Sequence, residues 1–265
     1  MPSLVGSEMC IRDRIDARFN GLGTLQRDYP ELIRGDISIL GEPSGGWIEA
    51  GCQGTMRIRI EGHGVRAHSA RAWMGENSIH ALSPVLAKLA AYEIREVEID
   101  GCVYREGLNA VRMAGGIAGN VIPDEAWVEV NFRFAPDRTE YEALGYVCDT
   151  LGLSLEGITD TVAGTRQDAV THGLTWEILD MSGGALPGLS APAATPLVAA
   201  ANGKVRAKYG WTDVSRFAAM GMPSVNLGPG DPSLAHKRDE HCPVKHITEV
   251  TEIMRIYLTT PSEKE

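Results

Sequence analysis

The sequence predicts an α/β chain in which a small β-α-β-β-α-β unit interrupts a larger α/β unit. Three observations carry this. "GTMRIRIEG" (54–62) alternates apolar and polar residues strictly, the mark of a half-buried strand. Between it and "LTWEILDMS", helical and strand-like stretches follow in an order that builds an antiparallel sheet with two helices on one face. After Pro187 the pattern becomes that of the tail of a parallel α/β domain.

Taken in order, Ile15 to about Pro30 has helical spacing, and "DISILGEPSGG" reads as a buried strand running into a Gly-rich loop. A long helix opens near Glu76 and Asn77 and carries "IHALSPVLAKLAAYEIREV". Two strand-like segments follow, around "GCVYREGLNAVRMAGG" and "DEAWVEVNFRFAPD". "DRTEYEALGYVCDTLG" is a second helix, with Asp137 as N-cap and Glu140 at the capping-box position. "GITDTVAGTRQDAVTHG" is polar and poorly periodic, a long surface loop, before the closing strand "LTWEILDMS". Beyond Pro187 come the helix "APAATPLVAAANG", the segment "VRAKYGWTDVSRFAAMG" and a strand from Pro223 to Leu227. A loop around His236 leads to a last helix with Ile247, Val250, Ile253, Met254 and Tyr257 on one face.

The balance of charges narrows the partners. A net charge of −10 and a pI near 5.2 argue against nucleic-acid or anionic-membrane binding. No apolar run reaches membrane-spanning length, and no basic segment followed by an apolar one suggests secretion. The five cysteines (10, 52, 102, 148, 242) are scattered without C-x-x-C spacing, which suits a reducing cytoplasm. Residues 1–14 stand apart. "SLVGSEMCIRD" lacks periodicity and resembles the frame translation of a sequencing adapter, so this stretch is read as a non-native scar, with native sequence beginning near "IDARFNGLG".

"NLGPGDPSLAHKRDEH" (226–241) raises the first question of chemistry. Pro and Gly at 228–232 exclude a regular element, so His236 stands on a loop leaving a strand end, where α/β folds place their chemistry. On its own, it is either a metal ligand or a polar residue of a solvated turn.

Four stretches in this order, "ILGEPSGGWIEAGCQGTMRI", "GVRAHSARAWMGENSIH", "IAGNVIPDEAWVEVNFRFAPDR" and "GWTDVSRFAAMGMPSVNLGPGDPSLAHKRDE", resemble the co-catalytic zinc aminoacylase and peptidase family. The resemblance runs from about Ile15 to the last helix. It implies a zinc-peptidase-like metal-binding domain, incomplete here and made of residues 15–54 and 183–265. That domain is interrupted by a ferredoxin-like lid, residues 55–182, through which two subunits form a homodimer. It implies two zinc ions in the intact enzyme, with cobalt an acceptable substitute, and Glu42 and His236 as ligands. It also implies that His68 reaches the partner's site to stabilise the oxyanion formed on a scissile amide. Asn120 and Arg133 match lid residues that hold the substrate, and Thr212 and Asp213 match a loop near its carboxylates. A guanidinium such as that of Arg133 grips a carboxylate in two parallel hydrogen bonds. His63 and His80 are read as structural.

The implied reaction is hydrolysis of N-succinyl-LL-2,6-diaminopimelate to succinate and LL-2,6-diaminopimelate, in the cytoplasm. A departure stands at "GCQGT", where Cys52 and Gln53 replace basic residues that help bind substrate, so the anionic end must be gripped elsewhere. The H-x-D and Glu-Glu pairs of the family, the second holding its general base, do not occur in the sequence. The scar is therefore read as replacing them, and the 265-residue chain is expected to be inactive. Two other functions remain open, an N-acyl-amino-acid deacylase acting on a substrate such as acetylornithine, and a non-catalytic dimerisation module.

Overall fold

The computed structural model describes residues 21–260 apart from His172 and His236. The scar reading at 1–14, the beginning of the first helix and the His236 side chain lie outside the described residues. Two compact units emerge, one of residues 1–53, 97–104 and 185–265, the other of 54–96 and 105–184. The first described element of the first unit is α1 (Gly21–Asp28).

The second unit is a five-stranded antiparallel sheet. Its strands are β3 (Gly54–His63), β7 (Gly107–Gly115), β9 (Glu125–Phe134), β10 (Arg166–Thr171) and β11 (Leu174–Ser182), in the order β10-β11-β3-β9-β7. Buried and half-buried residues alternate along β3 and β9. The buried set, including Met56, Ile58, Val130 and Phe132, packs with Leu82, Val85, Leu144 and Val147 from the helical segments into one core. Burying each such side chain contributes about 1.5–3 kcal/mol, so the helices are held to that face. Gly54 opens β3 because a Cβ there would lie 2.2 Å from the Phe134 ring.

The helices are shorter than their spacing suggests. α2 (Ser78–Ala81) and α3 (Ser83–Ala90) are separate, with Pro84 in the first turn of α3, where its missing N–H costs least. "EIREV" is not helical. It enters a hairpin of β5 (Glu96–Ile99) and β6 (Cys102–Arg105), so the segment read as one strand from Gly101 to Gly116 splits into β6 and β7. Residues 97–104, expected inside the inserted unit, group with the first one. Fully buried Tyr104 donates its hydroxyl to the Ala50 carbonyl at 2.8 Å. The second long helix, α4 (Glu140–Leu151), starts two residues later than the Asp137 reading. Thr139 is the cap: its Oγ1 accepts from the Glu142 amide at 3.2 Å, and the Glu142 carboxylate accepts from the Thr139 amide at 2.8 Å. Asp137 is instead paired with Arg95. The polar stretch read as a loop contains β10, paired antiparallel with β11.

In the first unit, β1 (Ser38–Leu40), β2 (Ile48–Ala50), β12 (Val205–Ala207) and β13 (Ser224–Asn226) form a sheet in the order β1-β13-β2-β12. It is mixed rather than parallel, because β2 runs antiparallel to β13. The loop from β1 to β2 is too short for the crossover that a parallel pair requires. Ile48, Val225 and Leu227 pack against α5 (Thr195–Ala200) and the last helix, α7 (Val244–Thr259), through Leu197 and Ile253. Cys52, Ala185 and Leu40 pack against α6 (Val214–Ala219). No helix of the described residues is long and apolar enough to cross a membrane.

Candidate functional site

Glu42 follows the end of β1, half-buried, in a loop that is tied to the segment leading to His236. Ser44 is the knot. Its buried hydroxyl donates to the Trp47 carbonyl at 2.7 Å and accepts from the Gly228 amide at 3.0 Å. Gly45 and Gly46, both at positive φ, turn their amides onto the Gly230 and Gly228 carbonyls at 2.7 and 3.1 Å. The two strand-end loops are thus zipped together, and Asp231 continues the path by accepting from the Ser233 amide at 2.8 Å. That bond holds the Asp231 carboxyl below its ordinary range. A Cβ at Gly228 would lie 2.4 Å from the Glu42 carbonyl oxygen. Gly228→Ala is therefore expected to push the loops apart and lower stability by about 1–3 kcal/mol. Denaturant unfolding reads the loss, and an unchanged midpoint would count against this account of the zip.

Among the described residues, no group of three or more His, Cys, Asp or Glu stands close enough to hold a metal ion. Glu42 by itself does not make a zinc site. The neighbouring polar residues are committed elsewhere. Glu49, only 5% exposed on β2, takes Arg206 at 2.8 Å on one oxygen and Lys208 at 2.5 Å on the other. Sequence reading passed over this cluster, although a Glu inside the apolar "WIEA" and the alternation in "VRAK" were its signals. Thr212 is buried, its carbonyl facing the Cys52 thiol at 3.8 Å, and its hydroxyl oxygen has no partner. Asp213 meets Arg216 Nε at 3.0 Å. Burial pushes the Cys52 thiol up to about 11, so it is no nucleophile at neutral pH.

In the other unit, His68 and Asn120 are brought together. β4 (Ala67–His68) pairs antiparallel with β8 (Val121–Ile122), and the Ser69 amide donates to the Asn120 carbonyl at 2.9 Å. His68 caps a 3-10 turn, Ser69–Met74, by accepting the Ala70 amide on Nδ1 at 3.0 Å. A neutral His68 therefore carries its proton on Nε2, exposed and ready to donate. The loop returns at once: Val65 and Glu76 exchange two backbone hydrogen bonds of 2.9 Å. Gly75 passes so near that a Cβ would meet Val65 oxygen at 2.8 Å. Arg66 clamps the base onto Asp124 at 2.9 Å and holds that carboxyl below its usual range, so the clamp is lost only as pH falls through the lowered value. His63 accepts or donates to the Thr175 hydroxyl at 2.8 Å, and His80 is exposed.

Arg133 lies elsewhere. It is half-buried on β9, opposite in direction to Phe132 and Phe134, between Thr55 of β3 and Gly107 of β7. The His68 ribbon joins the sheet at the Glu125 end of β9. Eight residues of strand then separate Arg133 from it, about 26 Å at the usual rise.

Residues 51–151 match the peptidase dimerisation domain family. Over 246 residues the chain is 55% identical to the putative succinyl-diaminopimelate desuccinylase of Mycobacterium tuberculosis, covering 93% of this chain and 64% of that protein. To the succinyl-diaminopimelate desuccinylase of Corynebacterium glutamicum it is 52% identical over 248 residues, covering 93% and 63%. The chain thus spans less than two thirds of the curated relatives it matches. Among solved structures, a tripeptidase from Staphylococcus aureus is similar with a TM-score of 0.63 at 18% identity, over 89% of this chain and 60% of that one. Aminopeptidase PepT from Bacillus cereus follows at 0.59 and 16%, over 92% and 62%. These two likenesses speak for the fold alone.

Proposed function

Because the chain is a relative of the succinyl-diaminopimelate desuccinylases, we propose that its residues serve the hydrolysis of N-succinyl-LL-2,6-diaminopimelate to succinate and LL-2,6-diaminopimelate. The observation that carries the reading is the distance between His68 and Arg133. A substrate of this size cannot touch both groups of one copy when about 26 Å of strand lies between them. Two copies joined through the dimerisation domain can supply one each. β7 is the outermost strand of its sheet, with exposed Val111 and Met113, and offers the backbone edge for that pairing.

In this arrangement Arg133 grips a substrate carboxylate in its own subunit. The partner copy brings in Asn120 and His68. Nε2–H of His68 donates to the amide carbonyl oxygen, and the bond strengthens as negative charge grows there. Two zinc ions, when bound, would polarise the carbonyl and lower the pKa of the attacking water. The described residues do not by themselves fit a zinc ion, so no step is assigned to one.

The test is substrate binding in zinc-free buffer, where nothing is consumed. The succinyl substrate is expected to bind at least about tenfold tighter than N-acetylornithine, since only it offers the acyl carboxylate. Arg133→Ala and the double variant His68→Ala/Asn120→Ala should each bind poorly. Their equimolar mixture should recover about a quarter of the sites, because half the dimers are mixed and each mixed dimer has one intact site. A mixture no better than either variant rules out the shared site. Equal affinity for acetylornithine shifts the function to a general N-acyl-amino-acid deacylase.

A further inference from the structure

The loop that carries His68 also carries a guanidinium with nothing to hold. Arg57, Arg59, Arg66, Arg112 and Arg166 of the same unit each close on a carboxylate. Arg71 is exposed, and among the described residues its guanidinium meets no carboxylate and donates no hydrogen bond. Its backbone is singular as well. At φ −130° and ψ 51° it leaves helical values in the middle of the 3-10 turn and breaks the run of side chains there. The loop is nevertheless rigid at its base, through the Val65–Glu76 exchange and the Arg66–Asp124 clamp. Two residues on, Trp73 is 81% exposed, an indole presented to a contact surface. A rigid loop presenting a free guanidinium beside an exposed indole is built for an anion in a partly dry setting.

We propose that Arg71 is a specificity-determining residue, gripping a carboxylate that lies close along the substrate chain to the scissile amide carbonyl. The proposal rests on the reading of His68 as the group that addresses that carbonyl. Arg71 is three residues from His68, about 6 Å along a 3-10 turn, and its long side chain spans the remaining gap. Wherever His68 reaches, Arg71 therefore reaches a carboxylate beside the same amide. Cys52 and Gln53, buried and uncharged where the chain enters β3, do not supply this grip. The carboxylate belongs either to the acyl group or to the amine side, and both lie near the carbonyl.

The experiment uses the whole chain and calorimetric binding in zinc-free buffer. Arg71→Ala is expected to weaken binding of the succinyl substrate roughly 10- to 100-fold, and Arg71→Lys, which keeps the charge without the fork, to fall between. Thermal unfolding of Arg71→Ala should match the parent, since the side chain is exposed and makes no ion pair among the described residues. Two analogues assign the carboxylate. If it is the acyl one, the N-butyryl amide binds parent and Arg71→Ala alike; if it is the amine-side one, the carboxamide analogue does so. Arg71→Ala binding the succinyl substrate as tightly as the parent overturns the proposal and leaves the function standing. A parent chain that binds no succinyl substrate overturns both.

Discussion

Glu106→Ala is expected to cost about 3–5 kcal/mol of stability, a larger loss than any other single change considered for this chain. Glu106 is 1% exposed, and its Oε1 accepts from Arg95 at 3.1 Å, Arg138 at 2.9 Å and the Ala135 amide at 3.1 Å. Alanine removes the acceptor and leaves two guanidiniums and an amide facing each other. Arg95 keeps Asp137 as a counter-ion, but Arg138 loses the carboxylate it meets and the buried Ala135 amide loses its acceptor. The melting temperature should fall by about 10 °C. Glu106→Gln keeps the shape and one acceptor and should lose less. The Asp137 carboxyl, held below the ordinary range by Arg95, extends the network to the surface. Its contribution is present above the unfolded carboxylate value and fades only as pH falls through the lowered one. Acid unfolding of the parent should therefore begin below the usual carboxylate range at this corner. An alanine variant melting within about a degree of the parent would show that the cluster is held by its packing alone.

Zinc titrated into the 265-residue chain is expected to bind weakly and well short of two ions per chain. A catalytic zinc takes about three protein ligands and a water. Glu42 has no such company among the described residues, and the H-x-D pair that the resemblance implies does not occur in the sequence. The resemblance also implies a general base within a Glu-Glu pair, and no such pair occurs in the sequence; lacking a general base costs about 10²–10⁴ in rate. Hydrolysis of the succinyl substrate by this chain should be negligible. Calorimetry with zinc chloride and release of succinate measure the two outcomes. Tight stoichiometric uptake of two ions, or clear turnover, overturns this expectation.

Much of the fold was written in local pattern. The strict alternation of 54–62 gave β3 with one face buried, and the βαββαβ order gave four of the sheet's five strands, β3, β7, β9 and β11. What local pattern missed was set by partners distant in sequence. Asp137 looks like a cap, but Arg95, 42 residues away, claims it, and the cap passes to Thr139. β10 has too little apolar rhythm to read as a strand, and exists because β11 offers it an edge. The candidate site divides in the same way. Motif and order put Glu42 at a strand end, whereas the pairing that brings His68 beside Asn120 was not legible, because it joins two short strands about fifty residues apart. Glu49 was invisible because its meaning lies in Arg206 and Lys208 on the neighbouring strand. Arg71 was invisible for the opposite reason, since its lack of a carboxylate shows only beside Arg57, Arg59, Arg66, Arg112 and Arg166, each of which has one.

The clasp between Val65 and Glu76 has an evolutionary corollary. The chain leaves and re-enters the unit at this pair of backbone bonds, and the residues between them hold to it through the β4–β8 pairing, the Ser69–Asn120 bond and the Arg66–Asp124 clamp while adding no side chain to its apolar core. Such a segment is a cassette. It can be lengthened, shortened or exchanged between relatives while the sheet beneath keeps its register, and what changes is only what the protein recognises. On the proposed role of this loop, substrate range drifts on a fold that hardly moves, and transplanting residues 66–75 as a block is a direct engineering route to altered recognition.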